Sequence, residues 1–273
     1  MLIFNYMKIS DPKKIKPKSL IVFDLDGTLA PTKAPMDSEM SKLISQLLSV
    51  KKVAVIGGGK YAIFQIQFLR QLKAPKNLLK CLYLFPTTAT AFYRYNNGWK
   101  NVYALELSKD EKTKIFEAFK NAFAKLRYKH PKKTYGKILE DRGTQVTFSA
   151  LGQDVVDALG KTKGVWLKEQ WLRQNKILKM KIARLVAKNL PNLEVHAAGF
   201  TSIDVTKKGI DKSYGLRQIK KHLGIGINDM LFVGDAIFPG GNDYAVVKTG
   251  VDYIQVAGPE ETKKIIANLL AEK

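Results

Sequence analysis

The segment Ser19–Leu25 is a short apolar run that ends in Asp24-Leu25-Asp26-Gly27-Thr28, without the polar alternation of a half-exposed strand. A strand that is apolar on both faces has to be covered on both, which places it inside a parallel sheet with helices above and below. Val53–Ile56 repeats the pattern and opens into Gly57-Gly58-Gly59. Between the two, Met40, Leu43, Ile44, Leu47 and Leu48 recur at helical spacing over Ser38–Ser49, with Ser38 in the N-cap position. Tyr61–Leu72 repeats the helical pattern and Cys81–Phe85 is a third strand. Strand, helix, strand, helix, strand predicts a doubly wound, Rossmann-like α/β core.

From about Thr87 the rhythm changes. Ala91–Tyr95, Asn96-Asn97-Gly98 and Trp99–Glu106 read as a hairpin with a turn that tolerates positive φ. A helix over Lys109–Tyr128, strands at Thr134–Glu140 and Gly143–Ser149, a helix over Lys168–Lys188 stopped by Pro191, and strands at Leu193–Ala197 and Ser202–Thr206 follow. The alternating aromatics Phe92, Tyr93, Tyr95, Trp99 and Tyr103 read as packing within this module. The parallel pattern then returns, with a helix at Ser213–Leu223, strands at Met230–Val233 and Tyr253–Val256, and a helix at Pro259–Leu270. The expected organisation is a core of residues 1–86 and 205–273 with an α+β cap, residues 87–204, inserted into it.

Length and composition narrow the class. A chain of 273 residues with 45% hydrophobic and 26% charged side chains has the make-up of a globular protein of one large domain or two ordinary ones. One cysteine, Cys81, excludes an internal disulfide scaffold and a Cys-built zinc site. The sequence has no apolar stretch of membrane-spanning length, and Met1–Tyr6 is too short for an export signal before Lys8, so a cytoplasmic protein without membrane contact is expected. The charge is unusual: 46 Lys and Arg against 24 Asp and Glu give +22. A field of that sign attracts polyphosphates, but the lysines are spread along the chain and no nucleic-acid-binding signature accompanies them, so nucleic acid is not the expected partner.

In an open α/β sheet ligands bind outside the carboxyl ends of the strands. There Asp24 ends the first strand and Asp26 follows, while Gly234-Asp235 ends a late strand and Asn242-Asp243 follow a Pro-Gly-Gly turn. Carboxylates converging on one sheet edge repel one another and need a cation. All-oxygen ligands with no His or Cys nearby point to Mg²⁺.

The set Phe23-Asp24-Leu25-Asp26-Gly27-Thr28-Leu29, Lys212 ahead of a helix, and Gly234-Asp235 with Gly240-Gly241-Asn242-Asp243 resembles, in order and spacing, three motifs of the haloacid dehalogenase-like superfamily of aspartate-dependent phosphotransferases. The inserted module resembles the cap of the type IIB branch. Pro239–Asp243, together with Thr206 and Gly209-Ile210-Asp211-Lys212, is similar to eukaryotic-type phosphomannomutases and their bacterial phosphatase-like relatives. The resemblance implies that Asp24 is the nucleophile and Asp26 the general acid and base, with Lys212 supplying positive charge. It also implies metal ligation by Asp24, Asp26 (through its main-chain carbonyl), Asp235 and Asp243, with Asn242 helping to orient phosphate. The implied activity is Mg²⁺-dependent removal of phosphate from a small phosphorylated metabolite, a sugar phosphate, through an aspartyl-phosphate. Sugar-phosphate mutation is the alternative; a non-catalytic, basic nucleic-acid-binding protein that kept the fold is the rival from another class. A homodimer through the cap stays open.

Two departures from the family pattern bear on the chemistry. Where the family ends its second strand with Ser or Thr, this chain has Gly57-Gly58-Gly59-Lys60, whose backbone N–H groups are expected to cradle phosphate instead. In the cap, Arg142 through Gln153 resembles the segment with which the mutases hold a distal phosphate, but Gln153 stands where they have a second arginine. A guanidinium grips phosphate bidentately, so its loss favours hydrolysis. Lys168, Arg173, Lys176 and Lys179 are the cations near enough in sequence to compensate. Closure of the cap is expected to bring Arg142, Gln145, Thr147 and Ser149 onto the substrate. His130, His196 and His222 lack shared metal-ligand spacing and read as structural.

Overall fold

The computed structural model describes residues 18–271, so the expectation for Met1–Tyr6 lies outside the described residues. In chain order the strands are β1 (Leu20–Asp24), β2 (Lys52–Ile56), β3 (Leu82–Phe85), β4 (Ala91–Tyr95), β5 (Trp99–Ala104), β6 (Leu139–Asp141), β7 (Val146–Ser149), β8 (Leu193–Ala198), β9 (Ser202–Lys207), β10 (Met230–Gly234) and β11 (Asp252–Gln255). They belong to two units. One runs up to Ala104 and resumes at Asp211; the other is Leu105–Ile210.

The sheet of the first unit has the order β11-β10-β1-β2-β3-β4-β5. Neighbours from β11 to β3 are parallel, and β4 and β5 are added antiparallel. Every residue of β1 is buried. Ile21 and Phe23 pack with Met40, Ile44 and Leu47 of the helix Ser38–Leu48 and with Ile265 and Ile266 of the helix Pro259–Ala271. Leu20 and Val22 point the other way, onto Leu216 and Ile219 of the helix Lys212–Leu223. This two-sided cover is what the unbroken apolar run requires. The helix Ser38–Leu48 is capped one residue earlier than expected, by Asp37, whose carboxylate accepts the Met40 N–H at 2.8 Å. The next helix is α-helical only over Tyr61–Phe64. It then widens into a π turn, Gln65–Leu69, in which the Arg70 N–H reaches the Gln65 carbonyl at 2.9 Å.

The hairpin expected in the inserted module belongs instead to the first unit. Tyr83 of β3 pairs with Arg94 of β4, and the register slips by a residue between Phe92 and Tyr93. Aromatic packing fixes it there. Phe92 is buried with its ring stacked on Phe85 at 4.5 Å and within 6.0 Å of Tyr103 and His222, while Tyr61 stacks on Tyr93 at 3.9 Å. The outer strand β5 is mostly exposed. At the far end of the insertion β9 continues to Lys207, so the inserted unit both begins and ends later than the expected 87–204, at Leu105 and Ile210.

The second unit has an antiparallel sheet, β6-β7-β9-β8, covered by the helices Lys109–Lys125 and Lys161–Asn189 around Ile115, Phe119, Phe148, Ile182 and Ile203. The two strands expected at Thr134–Glu140 and Gly143–Ser149 are shorter than the pattern suggested, because Gly136 (φ +71°) and Gly143 (φ +82°) leave the extended region. The long helix starts seven residues before the expected Lys168, at Lys161, after Gly160 turns the chain at φ +76°. No helix among the described residues is long and apolar enough to cross a membrane.

If the hairpin is packed as described, Phe92→Ala should cost about 3–5 kcal/mol in chemical denaturation, the usual range for a buried Phe. A loss below about 1 kcal/mol would show that β4 and β5 do not share the core.

Candidate active site

Asp24 is the last residue of β1, and the neighbouring β10 ends at Gly234, with Phe23 in register with Val233. Because β2 lies on one side of β1 and β10 on the other, the chain reverses its direction of winding here. Such a switch point leaves a crevice at the carboxyl edge. Asp24 is buried, and its Oδ1 accepts a hydrogen bond from Lys212 Nζ at 2.5 Å. Lys212 opens the helix Lys212–Leu223, whose N-cap Asp211 accepts the Tyr214 N–H at 2.9 Å. The same ammonium pairs with Asp243 Oδ1, and Asp243 Oδ2 accepts the Ala236 N–H at 3.1 Å. One carboxylate oxygen from each of Asp24, Asp235 and Asp243 lies within 4.8 Å of the others, and among the described residues no His or Cys joins them. Two glycines make room for the cluster. A Cβ on Gly27, already at φ +84°, would collide with Asp235, and one on Gly234 would stand 2.5 Å from Asp243 Oδ2.

Three carboxylates face one ammonium, and the titration behaviour follows. Burial pushes the Asp24 carboxyl well above the ordinary carboxylate range; Lys212 opposes this, and the charges of Asp243 and Asp235 add to it. Asp235 is raised too, by burial and then by Asp243. Burial works to discharge Lys212, but Asp24 and Asp243 outweigh it, so the lysine stays charged. The cluster is therefore short of positive charge. Asp24 Oδ2 is buried with no hydrogen-bond partner, which is costly unless something binds it. An unsatisfied carboxylate oxygen inside an all-oxygen donor set fits a hard divalent cation such as Mg²⁺, held by Asp24, Asp235 and Asp243.

The other expected residues distribute unevenly. Asp26 is half-buried just past the strand, and its Oδ1 accepts from the Lys33 N–H at 2.7 Å and from Gln67 Nε2 at 3.4 Å; it is not one of the three clustered carboxylates. Gln67 reaches it from the π turn, a placement the sequence pattern did not suggest. Asn242, next to Asp243 in the chain, is exposed. The expectation that the Gly57, Gly58 and Gly59 N–H groups form a cradle fails at Gly57, whose N–H is spent on the Phe85 carbonyl at 3.2 Å, extending the β2–β3 ladder by one step.

In the second unit Gln145, Thr147 and Ser149 are buried on the face of β7 opposite its core residues Val146 and Phe148. Gln145 Nε2 donates to Thr147 Oγ1 at 2.8 Å, and Thr147 Oγ1 donates to Asp204 Oδ1 at 2.8 Å. Arg142 donates to Glu140 Oε2 at 2.8 Å and to Gln153 Oε1 at 3.1 Å, and Gln153 Nε2 continues to the Thr147 carbonyl at 3.1 Å. Ser149 is drawn away from this network, since its hydroxyl closes a turn by donating to the Gly152 carbonyl at 2.8 Å. Of the four cations named as compensators, Arg173 and Lys176 are exposed and Lys168 is buried. Lys179 donates to the Ala198 and Gly199 carbonyls at 3.0 and 2.5 Å, and burial, opposed by Asp204, brings its pKa down to about 8. Burial raises the Asp204 carboxyl, with Arg142 pulling the other way. Asp204 was missed in the sequence, yet the signal was present: it alternates with the core residues Ile203 and Val205, so it had to face the side where Thr147, its register partner, also points.

Comparison with known proteins agrees with this geometry. A family model described as haloacid dehalogenase-like hydrolase matches residues 21–249. The phosphomannomutase of Encephalitozoon cuniculi is 28% identical over 263 residues, covering 93% of this chain and 94% of that protein. That of Saccharomyces cerevisiae is also 28% identical over 263 residues, covering 94% and 96%. Among solved structures, the IMP-nucleotidase of Plasmodium falciparum superposes with a TM-score of 0.69 at 15% identity over 97% of this chain and 71% of that one, a likeness of fold.

Removing Lys212 leaves two buried carboxylates unpaired, so Lys212→Met should destabilise the protein by about 3–5 kcal/mol, and adding Asp24→Asn should recover part of the loss. A loss under about 1 kcal/mol would mean that the pair does not hold the site together. In thermal melts Mg²⁺ should raise the Tm of the wild type and have little effect on Asp235→Asn; at a hundred times its Kd the gain is about 2.7 kcal/mol. A Tm indifferent to Mg²⁺ in the wild type would count against a metal in this cluster.

Proposed function

Because the chain belongs to the haloacid dehalogenase-like hydrolase family, we propose that it is a cytoplasmic, Mg²⁺-dependent phosphohydrolase that removes phosphate from a small sugar phosphate by way of an aspartyl-phosphate on Asp24. The observation that carries this reading is the unpartnered, buried Oδ2 of Asp24 beside a charged Lys212. Lys212 anchors one oxygen of the carboxylate, and the other has no partner within the protein, so the group is held rigidly with its remaining bonding capacity turned to what binds at the acidic edge.

Asp24 attacks phosphorus, the bond from phosphorus to the sugar oxygen breaks, and Asp26 gives that oxygen its proton. Asp26 then takes a proton from water as the water attacks phosphorus, and the bond to Asp24 breaks to return the carboxylate and release inorganic phosphate. The Lys33 N–H and Gln67 hold Asp26 in place for both transfers. Lys212 keeps a positive charge against Asp24 and the transferring oxygens. Asp24, Asp235 and Asp243 would hold a divalent cation, which would supply the neutralisation that lets carboxylate and phosphate approach one another.

The reading of hydrolysis rather than mutation is supported by the polar network of the second unit. A mutase has to hold phosphate at both ends of its substrate. Here Arg142 is already paired with Glu140, the expected second arginine is Gln153, and that amide is engaged in holding Arg142 and the Thr147 carbonyl. Lys179 is committed to two backbone carbonyls. Such a network suits hydroxyl groups better than a second dianion. The mutase reading draws on the phosphomannomutase relatives and keeps the same Asp24 chemistry.

A Mg²⁺-dependent screen for phosphate release over hexose 1- and 6-phosphates, with wild type beside Asp24→Asn, decides between them. Release that falls to background in Asp24→Asn is the expected result. Interconversion of mannose 1- and 6-phosphate with a bisphosphate activator, without free phosphate, would establish the mutase instead.

A further inference from the structure

The carboxyl edge between Asp24 and the end of β3 needs donors for the non-bridging oxygens of a phosphate, and β2 offers no side-chain donor at Gly57, Gly58 or Gly59. Asp24 is in register with Ile56 and Ile56 with Phe85, so the ends of β1, β2 and β3 stand side by side. Immediately past β3 the backbone does something unusual. Thr87, Thr88 and Ala89 are all left-handed, at φ 49°, 56° and 64°. A β-branched residue rarely adopts this region, and such outliers persist where the surroundings over-determine them, often at functional sites.

The surroundings do over-determine this turn. The Thr87 N–H donates to the Gly59 carbonyl at 2.8 Å and the Thr88 N–H to the Gly57 carbonyl at 2.9 Å, which clamps the turn onto the glycine loop. The Thr90 hydroxyl donates within the turn to Thr87, and Tyr103 donates its hydroxyl to the Ala89 carbonyl at 2.8 Å. Ala89 also lies against the helix that begins at Lys212: a Cβ on Gly215 would be 3.1 Å from the Ala89 Cβ. The Thr87 side chain is engaged inside the turn and buried. Thr88 differs. It is half-buried, and its hydroxyl has no hydrogen-bond partner among the described residues. The turn thus ties the glycine loop to the Lys212 helix and leaves one hydroxyl at the edge uncommitted.

We propose that Thr88 Oγ1 donates a hydrogen bond to a non-bridging oxygen of the transferring phosphate, providing from β3 the side-chain contact that the Gly57–Gly59 loop lacks. This rests on the phosphate-transfer reading of the site. It makes Thr88 a substrate-binding residue and accounts for a β-branched side chain being kept in a conformation better suited to glycine or asparagine.

The test uses the full chain with Thr88→Val, which removes the hydroxyl at constant shape, Thr88→Ser, which keeps it, and Thr88→Gly, which removes it while relaxing the backbone. Each is titrated with inorganic phosphate in the presence of Mg²⁺ by calorimetry, and kcat/KM is measured on whichever ester the wild type hydrolyses. A hydrogen bond to a charged group predicts that Val and Gly weaken phosphate binding and lower kcat/KM by about 10- to 100-fold, with Ser within about three-fold of wild type. If Val and Gly bind phosphate like the wild type, and Gly merely melts higher, the turn is structural and the proposal is wrong. A wild type that binds phosphate but hydrolyses no ester would sink the phosphatase reading alone, and the titrations would still decide the role of Thr88.

Discussion

The buried Lys212 ammonium, shared between Asp24 and Asp243, is the constraint around which the first unit is organised. Three distant stretches of chain meet in it: the end of β1, the first turn of the helix Lys212–Leu223, and the loop after β10. A buried ion pair of this kind adds little net stability over a well-packed apolar substitute, but breaking it is expensive. The sequence therefore tolerates it only if something else depends on it. What depends on it is the state of Asp24. The ammonium fixes one oxygen and leaves the other facing an acidic cluster, and Gly27 and Gly234 are small because the carboxylates of Asp235 and Asp243 occupy the space a side chain would fill.

The parts of this site readable from sequence were those tied to strand ends. An apolar run buried on both faces announces where it stops, and Asp24 and Asp235 stand at such stops. The contacts that were hidden depend on which strands become neighbours. The hairpin of Phe92 and Tyr103 has the alternation of any antiparallel ribbon, and nothing local says that it extends the parallel sheet rather than the inserted one; that is decided by Phe85 and His222, far away in sequence. The π turn that presents Gln67 to Asp26 escapes a helical period, which cannot register one extra residue in a turn. Gly57 looked like a free donor because its partner, the Phe85 carbonyl, lies on another strand.

Polar groups in the second unit show the same dependence. Arg142 and Gln145 attract notice as side chains, but their behaviour is set by Glu140, two residues from Arg142, by Gln153, eleven residues further on, and by Asp204, which lies across the sheet. Linked bonds hold the Arg142, Gln145, Thr147 and Gln153 side chains in place. A prearranged network loses little conformational freedom when it meets a ligand, and it discriminates by the pattern of donors and acceptors rather than by net charge.

The added hairpin has an effect unrelated to chemistry. Without β4 and β5 the parallel sheet would end at β3, whose four residues are largely apolar, with a row of open backbone groups. Such an edge invites strands from other molecules. With the hairpin in place the terminal strand is β5, which is mostly exposed, carries Lys100 and Asn101, and follows a ribbon bent by the register slip at Phe92 and Tyr93. A kinked, hydrated border is a poor template for intermolecular pairing, so the ribbon guards the molecule against self-association along its sheet.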